Sequence, residues 1–176
     1  MKAKLRLLVT LHCNRSCPGC CNKDYDIKNL PKISIAQAAQ YGEVMITGGE
    51  PLLYPGKVNN LMLAIVAENP SAKIFIYTAN IRELASGDTL DSSLFSGVHV
   101  TIHEDITKHE LQLLKYMQER YPITFKTKSM RLQIFPDIKR KISIVPKLWK
   151  RITFNPWIEN CPLPIDEDFM QLEELF

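Results

Sequence analysis

The feature that most constrains the fold is an alternation of short apolar runs with segments of helical period. "KLRLLVTL" (4–11) reads as a strand, "ISIAQAAQYG" (33–42) as a short helix opened by Ser34, and "EVMITG" (43–48) as a second strand. Residues 56–69 place apolar side chains at 58, 61, 62, 65 and 66, one face of a helix. "KIFIYTA" (73–79) and "GVHVTIH" (97–103) read as the third and fourth strands, with "DSSLF" (91–95) as one helical turn between them. Residues 107–121 form the clearest helix, with Thr107 as cap and Glu110 at the capping-box position. "RLQIF" (131–135) and "RITFN" (151–155) supply the fifth and sixth strands, and "DEDFMQLEELF" reads as a C-terminal helix capped by Asp166. Strands alternating with helices predict right-handed βα units and a parallel sheet, with function gathered at the C-terminal ends of the strands.

At 176 residues, the chain is long enough for one domain with a sizeable core. It has no apolar run long enough to cross a membrane, and "LLVTL" near the start is too short for a signal peptide without a small-residue cleavage site. A cytoplasmic location is therefore expected. The net charge of +3 is unevenly spread. From Lys115 to Arg151 there are eleven basic residues against Glu119 and Asp137, whereas residues 152–176 hold six acidic residues and no basic ones. Two readings follow: a basic face balanced by its own tail, or an electropositive surface for an anionic partner.

Four of the five cysteines fall in "LHCNRSCPGCCNKDY", directly after the first strand. Cys13, Cys17 and Cys20 have the spacing C-x3-C-x2-C. In a reducing compartment, clustered cysteines are metal ligands or catalysts more often than disulfides. Three thiolates on one loop can wrap an iron–sulfur cluster and leave one iron for another ligand. Zinc is the alternative, with His12 or Cys161 completing four closed ligands. Cys21 and Cys161 read as small packed residues, and Trp149 and Trp157 as core.

The second strand runs into "TGGEPLL". Gly48 and Gly49 allow close backbone approach, Glu50 offers a carboxylate to a cationic amine, and Pro51 fixes the turn. "CNRSCPGC" and "TGGEP" together resemble the cluster and methionine-amine motifs of the radical S-adenosylmethionine (radical SAM) superfamily. The resemblance is specific over residues 4–53 and loose to about residue 155. It implies an α/β fold, a partial, truncated (βα)6 parallel barrel over 1–155, with 156–176 as a turn and short acidic helix packed on it. It also implies a 4Fe–4S cluster on Cys13, Cys17 and Cys20, which serve as metal ligands and catalytic centre. S-adenosylmethionine would chelate the fourth iron, and a reduced cluster would cleave it to a 5′-deoxyadenosyl radical that abstracts hydrogen from substrate. Gly48, Gly49, Glu50 and Pro51 would hold the methionine part. Thr78 and Asn80 on the third strand, and Thr101 and His103 on the fourth, match the places of further cofactor-binding residues.

Gly19 stands where many members carry an aromatic residue before the third cysteine. "CPGC" followed by Asn22 resembles the small activases that act on glycyl radical enzymes, which makes a protein substrate the first expectation and a small molecule, nucleotide or peptide the alternative. A flavodoxin or ferredoxin is the implied reductant. The basic stretch "KRKISIVPKLWKR" also leaves a nucleic-acid ligand open. Two non-enzyme readings complete the set: a cluster-binding module without turnover, and a zinc-stabilised binding protein.

Overall fold

A computed structural model describes the chain except residues 1–2, 18–19, 88, 136–137, 139–141, 155 and 157–161 and the side chain of Cys21. Gly19, Lys139, Arg140, Lys141, Trp157 and Cys161 therefore lie outside the described residues, as does the role of Cys21. The described strands are β1 (Lys4–Leu8), β2 (Lys32–Ile33), β3 (Glu43–Thr47), β4 (Lys73–Thr78), β5 (Gly97–Ile102), β6 (Ser129–Ile134), β7 (Arg151–Phe154) and β8 (Glu167–Leu172). They form one sheet in the order β2-β8-β1-β3-β4-β5-β6-β7, with every pairing parallel. The six expected strands are β1 and β3–β7, and they lie side by side in chain order. This is an α/β protein, and the arrangement is compatible with a partial parallel barrel.

The helices are α1 (Ile35–Ala38), α2 (Pro55–Glu68), α3 (Ile81–Ser86), α4 (Lys108–Arg120) and α5 (Pro122–Thr127). Ser34 and Thr107 close capping boxes with Gln37 and Glu110, as the sequence predicts for both helix starts. Alternate strand residues, among them Leu5, Leu7, Val44, Ile46, Ile74, Ile76, Val98, Val100 and Leu132, pack with Val58, Met62 and Ile65 of α2 and Leu114 and Met117 of α4 in one core. The intervening strand residues point to the opposite face, because side chains alternate along a strand. Trp149 is buried in the core, edge-on to Phe125 at 4.9 Å, as expected.

Two expectations need correction. The C-terminal helix is a strand: β8 enters between β2 and β1, so this stretch extends the sheet instead of packing on it. β1 would otherwise present an unpaired edge, and pairing satisfies both strands' backbone groups. The segment 91–95 forms a turn closed by Leu94 N donating to Asp91 O, not a helix. The described ion pairs of the acidic tail are made with the first strand. Asp166 meets Lys4 at 2.7 Å and Glu167 meets Arg6 at 2.6 Å, both on β1.

Candidate functional site

The β1–β3 ladder continues past both strands into the two motifs. Val9 N donates to Thr47 O (3.0 Å), Gly49 N to Thr10 O (2.7 Å) and Glu50 N to His12 O (2.7 Å). The Gly-Gly-Glu turn is thus bonded to Thr10 and His12, just ahead of Cys13. A Cβ at Gly48, which has φ +147°, would stand 2.4 Å from Thr10 O, and one at Gly49 would stand 2.0 Å from His12 O. Close approach between two stretches of this chain therefore requires both glycines, independently of any ligand. Asn22 completes the junction by donating from Nδ2 to Gly48 O at 2.7 Å.

Glu50 is 2% exposed. Its Oε1 accepts from Thr78 Oγ1 (2.7 Å) and Leu52 N (3.0 Å), and its Oε2 accepts from Ala79 N (2.9 Å). Burial pushes the carboxyl above its usual range, and these three donors pull it back. The carboxylate ties the end of β3 to the end of β4. Oε2, with one donor, has the lone-pair capacity for a second, and Glu50 is among the residues that line a cavity.

That cavity, about 550 Å³, opens at the C-terminal ends of the strands on the face away from the helices. Of the expected site residues, Cys13, Cys17, Cys20, Gly48, Gly49, Glu50, Thr78, Thr101 and His103 all line it. Pro51 and Asn80 do not. Pro51 is buried as the first residue of a short 3-10 turn, where its missing N–H is no loss. Asn80 is the cap of α3, accepting from Glu83 N at 3.2 Å and donating to Leu52 O at 3.3 Å. Its letters fit a cap as well as a ligand group, and the cap uses them.

Cys13, Cys17 and Cys20 are free thiols, the first exposed and the others half-buried. Burial pushes Cys13 up and Cys17 up to about 11, so both carry protons at neutral pH until a metal displaces them. Arg15, between Cys13 and Cys17, is 10% exposed. Its Nη1 meets Asp105 Oδ1 at 2.8 Å and its Nη2 meets Glu110 Oε1 at 2.6 Å. Glu110 also accepts from Thr107 N and Oγ1, each at 2.8 Å, so one carboxylate links the cysteine loop to the start of α4. His103 stacks on Phe135 at 4.9 Å, and burial together with Arg15 lowers its pKa. His12 hydrogen-bonds Tyr54 through Nδ1 and is not among the residues that line the cavity. Among the described residues no group of three or more His, Cys, Asp or Glu converges as a single metal ion needs.

Sequence reasoning missed Arg6, Arg15, Tyr77, His99, Gln133 and Phe135, which also line the cavity, and noted Asn22 without giving it a place there. A signal for several was present. Strands buried on both faces of a parallel sheet read as continuous apolar runs. Here β5, β6 and β7 alternate, with His99 and Thr101, then Ser129, Arg131 and Gln133, then Arg151 and Thr153. That period of two marks a face turned to solvent or ligand. No protein-family model matches the chain, and no curated protein matches its sequence.

Proposed function

We propose that this chain is a radical SAM enzyme built on a minimal partial (βα)6 barrel, with β1 and β3–β7 as its six core strands. The observation that carries the reading is that three free thiols on one loop and the Gly-Gly-Glu turn bonded to that loop share a single cavity at the C-terminal edge of a parallel sheet. The donor chemistry fits a cluster better than one ion. Thiolates of a cubane each bind a different iron, so they need not converge on one point.

Cys13, Cys17 and Cys20 would hold the 4Fe–4S cluster. Bound there and reduced by a carrier such as flavodoxin or ferredoxin, it would supply the electron for reductive cleavage of S-adenosylmethionine and so the chemistry of hydrogen abstraction. The chain's own residues prepare the place. Arg15 fixes the cysteine loop against Asp105 and Glu110. Gly48 and Gly49 set the distance between that loop and the end of β3. Glu50, held by three donors, keeps one acceptor site on Oε2 for the methionine ammonium. Thr101 and His103 offer polar groups along the β5 rim of the cavity. Leu11 and Ile27 add apolar lining to the cavity.

The test is product analysis. Anaerobically reconstituted protein with dithionite and S-adenosylmethionine should release 5′-deoxyadenosine and methionine. Cys13→Ala, Cys17→Ala and Cys20→Ala should each abolish this, while Cys21→Ala and Cys161→Ala keep it. No cleavage by protein carrying its full complement of iron would leave a cluster-binding module without turnover.

A further inference from the structure

On the face away from the helices, the register aligns Tyr77 with His99, His99 with Arg131, and Arg131 with Arg151, one row across β4 to β7. Tyr77 and His99 line the cavity, and the two arginines continue the row towards the outer strand. Like charges side by side on adjacent strands repel. Neither arginine has a carboxylate within ion-pair distance among the described residues, whereas Arg6 and Arg15, which line the same cavity, each have one or two. Arg131 is half-buried. It donates from Nε to Ser129 Oγ at 3.3 Å and lies over the Phe75 ring at 5.1 Å, which leaves both Nη groups without a hydrogen-bond partner among the described residues. Beside it, His99 stacks on Tyr77 at 4.6 Å, and its buried Nδ1 has no partner among the described residues. Burial, then Arg131 and Arg151, push this imidazole down to about 4, so it stays neutral and adds no third charge.

Two adjacent cations without a counter-charge among the described residues, next to an imidazole nitrogen likewise without a partner among them, are what an oxyanion would satisfy. A guanidinium matches carboxylate and phosphate geometry through paired N–H donors. We infer that the β5–β7 side of this face binds the anionic group of a small-molecule substrate, a carboxylate or a phosphate, between Arg131 and Arg151 and beside His99. That the anion belongs to a substrate rests on the radical SAM reading; that the row binds an oxyanion does not. Arg131 sits on the Phe75 ring below the rim, a position that suits a small molecule.

The experiment follows the His99 ring signals by proton–carbon NMR in the full chain with labelled histidine, assigned with His99→Gln. Sodium phosphate and sodium acetate are titrated separately, at ionic strength held constant with sodium chloride. A saturable change with phosphate alone assigns a phosphate, with acetate alone a carboxylate, and with both a general oxyanion site. In Arg151→Gln, an exposed position, the apparent Kd should rise about tenfold, the loss of one charge-assisted contact. In Arg131→Gln/Arg151→Gln saturation should disappear. No response to either anion, or the same titration in Arg151→Gln, makes the row a solvated basic edge and overturns the inference. Iron content is measured on the same protein. Anion binding without iron removes the radical SAM reading and leaves the anion site; four irons without an anion response does the reverse.

Discussion

Glu50→Gln isolates what the buried carboxylate does for the fold. Glu50 accepts from Thr78 Oγ1 and Leu52 N on one oxygen and from Ala79 N on the other. A glutamine has one acceptor oxygen. Turned towards Leu52, it leaves Ala79 N facing an amide NH2; turned towards Ala79, it leaves Leu52 N unpaired. The Thr78 hydroxyl can rotate and accept, so it is not the problem. Either way one inward-facing backbone N–H loses its acceptor, at about 1–3 kcal/mol. Removing a charge whose burial is itself unfavourable offsets part of this, so the net loss should be about 2 kcal/mol. For a chain of this size that lowers Tm by about 4–8 °C. Urea unfolding and calorimetry of the metal-free protein read it directly. A Glu50→Gln protein as stable as the parent would refute the brace between β3 and β4. It would return Glu50 to a purely ligand-facing role, visible only as weaker S-adenosylmethionine binding.

Gly49→Ala puts a Cβ 2.0 Å from His12 O, so it should cost about 3 kcal/mol and lower Tm, measured by the same unfolding curves. His99 predicts an acid limb. Its folded pKa of about 4 lies below the ordinary value of 6.5, so its contribution is complete above pH 6.5 and is lost as pH falls to 4, about 3 kcal/mol in all. His99→Gln should flatten unfolding free energy against pH in that window. Arg15→Gln strands Glu110, which keeps its Thr107 donors, and should cost about 2 kcal/mol. It should also speed iron loss to a chelator, whereas Arg15→Lys restores part of both.

The strands β1 and β3–β7 and the two capped helices were legible because their signals are local: apolar runs, and Ser34 and Thr107 with partners three residues on. β8 was not. Asp166 imitates an N-cap, and Glu167, Met170, Gln171 and Leu172 are good helix formers. What decides the segment is the open edge of β1, a partner 162 residues away in the Lys4–Asp166 pair. The site was legible in its letters but not in all its roles. The cysteines and Gly-Gly-Glu do meet at one cavity, yet Asn80 is spent on a cap and the glycines on packing two backbones together. α5 was hidden because Ile123, Thr124 and Phe125 favour strands; Pro122 at its first turn was the available sign. The row from Tyr77 to Arg151 needed strand register, which no local pattern contains.

Metal analysis of anaerobically purified and reconstituted protein decides whether Cys13, Cys17 and Cys20 hold an iron–sulfur cluster. The expected result is a brown protein with about four irons and four sulfides per chain, an electron paramagnetic resonance signal on reduction, and loss of all three in each of the three cysteine variants. A colourless protein carrying stoichiometric zinc, or iron content indifferent to those cysteines, would contradict it.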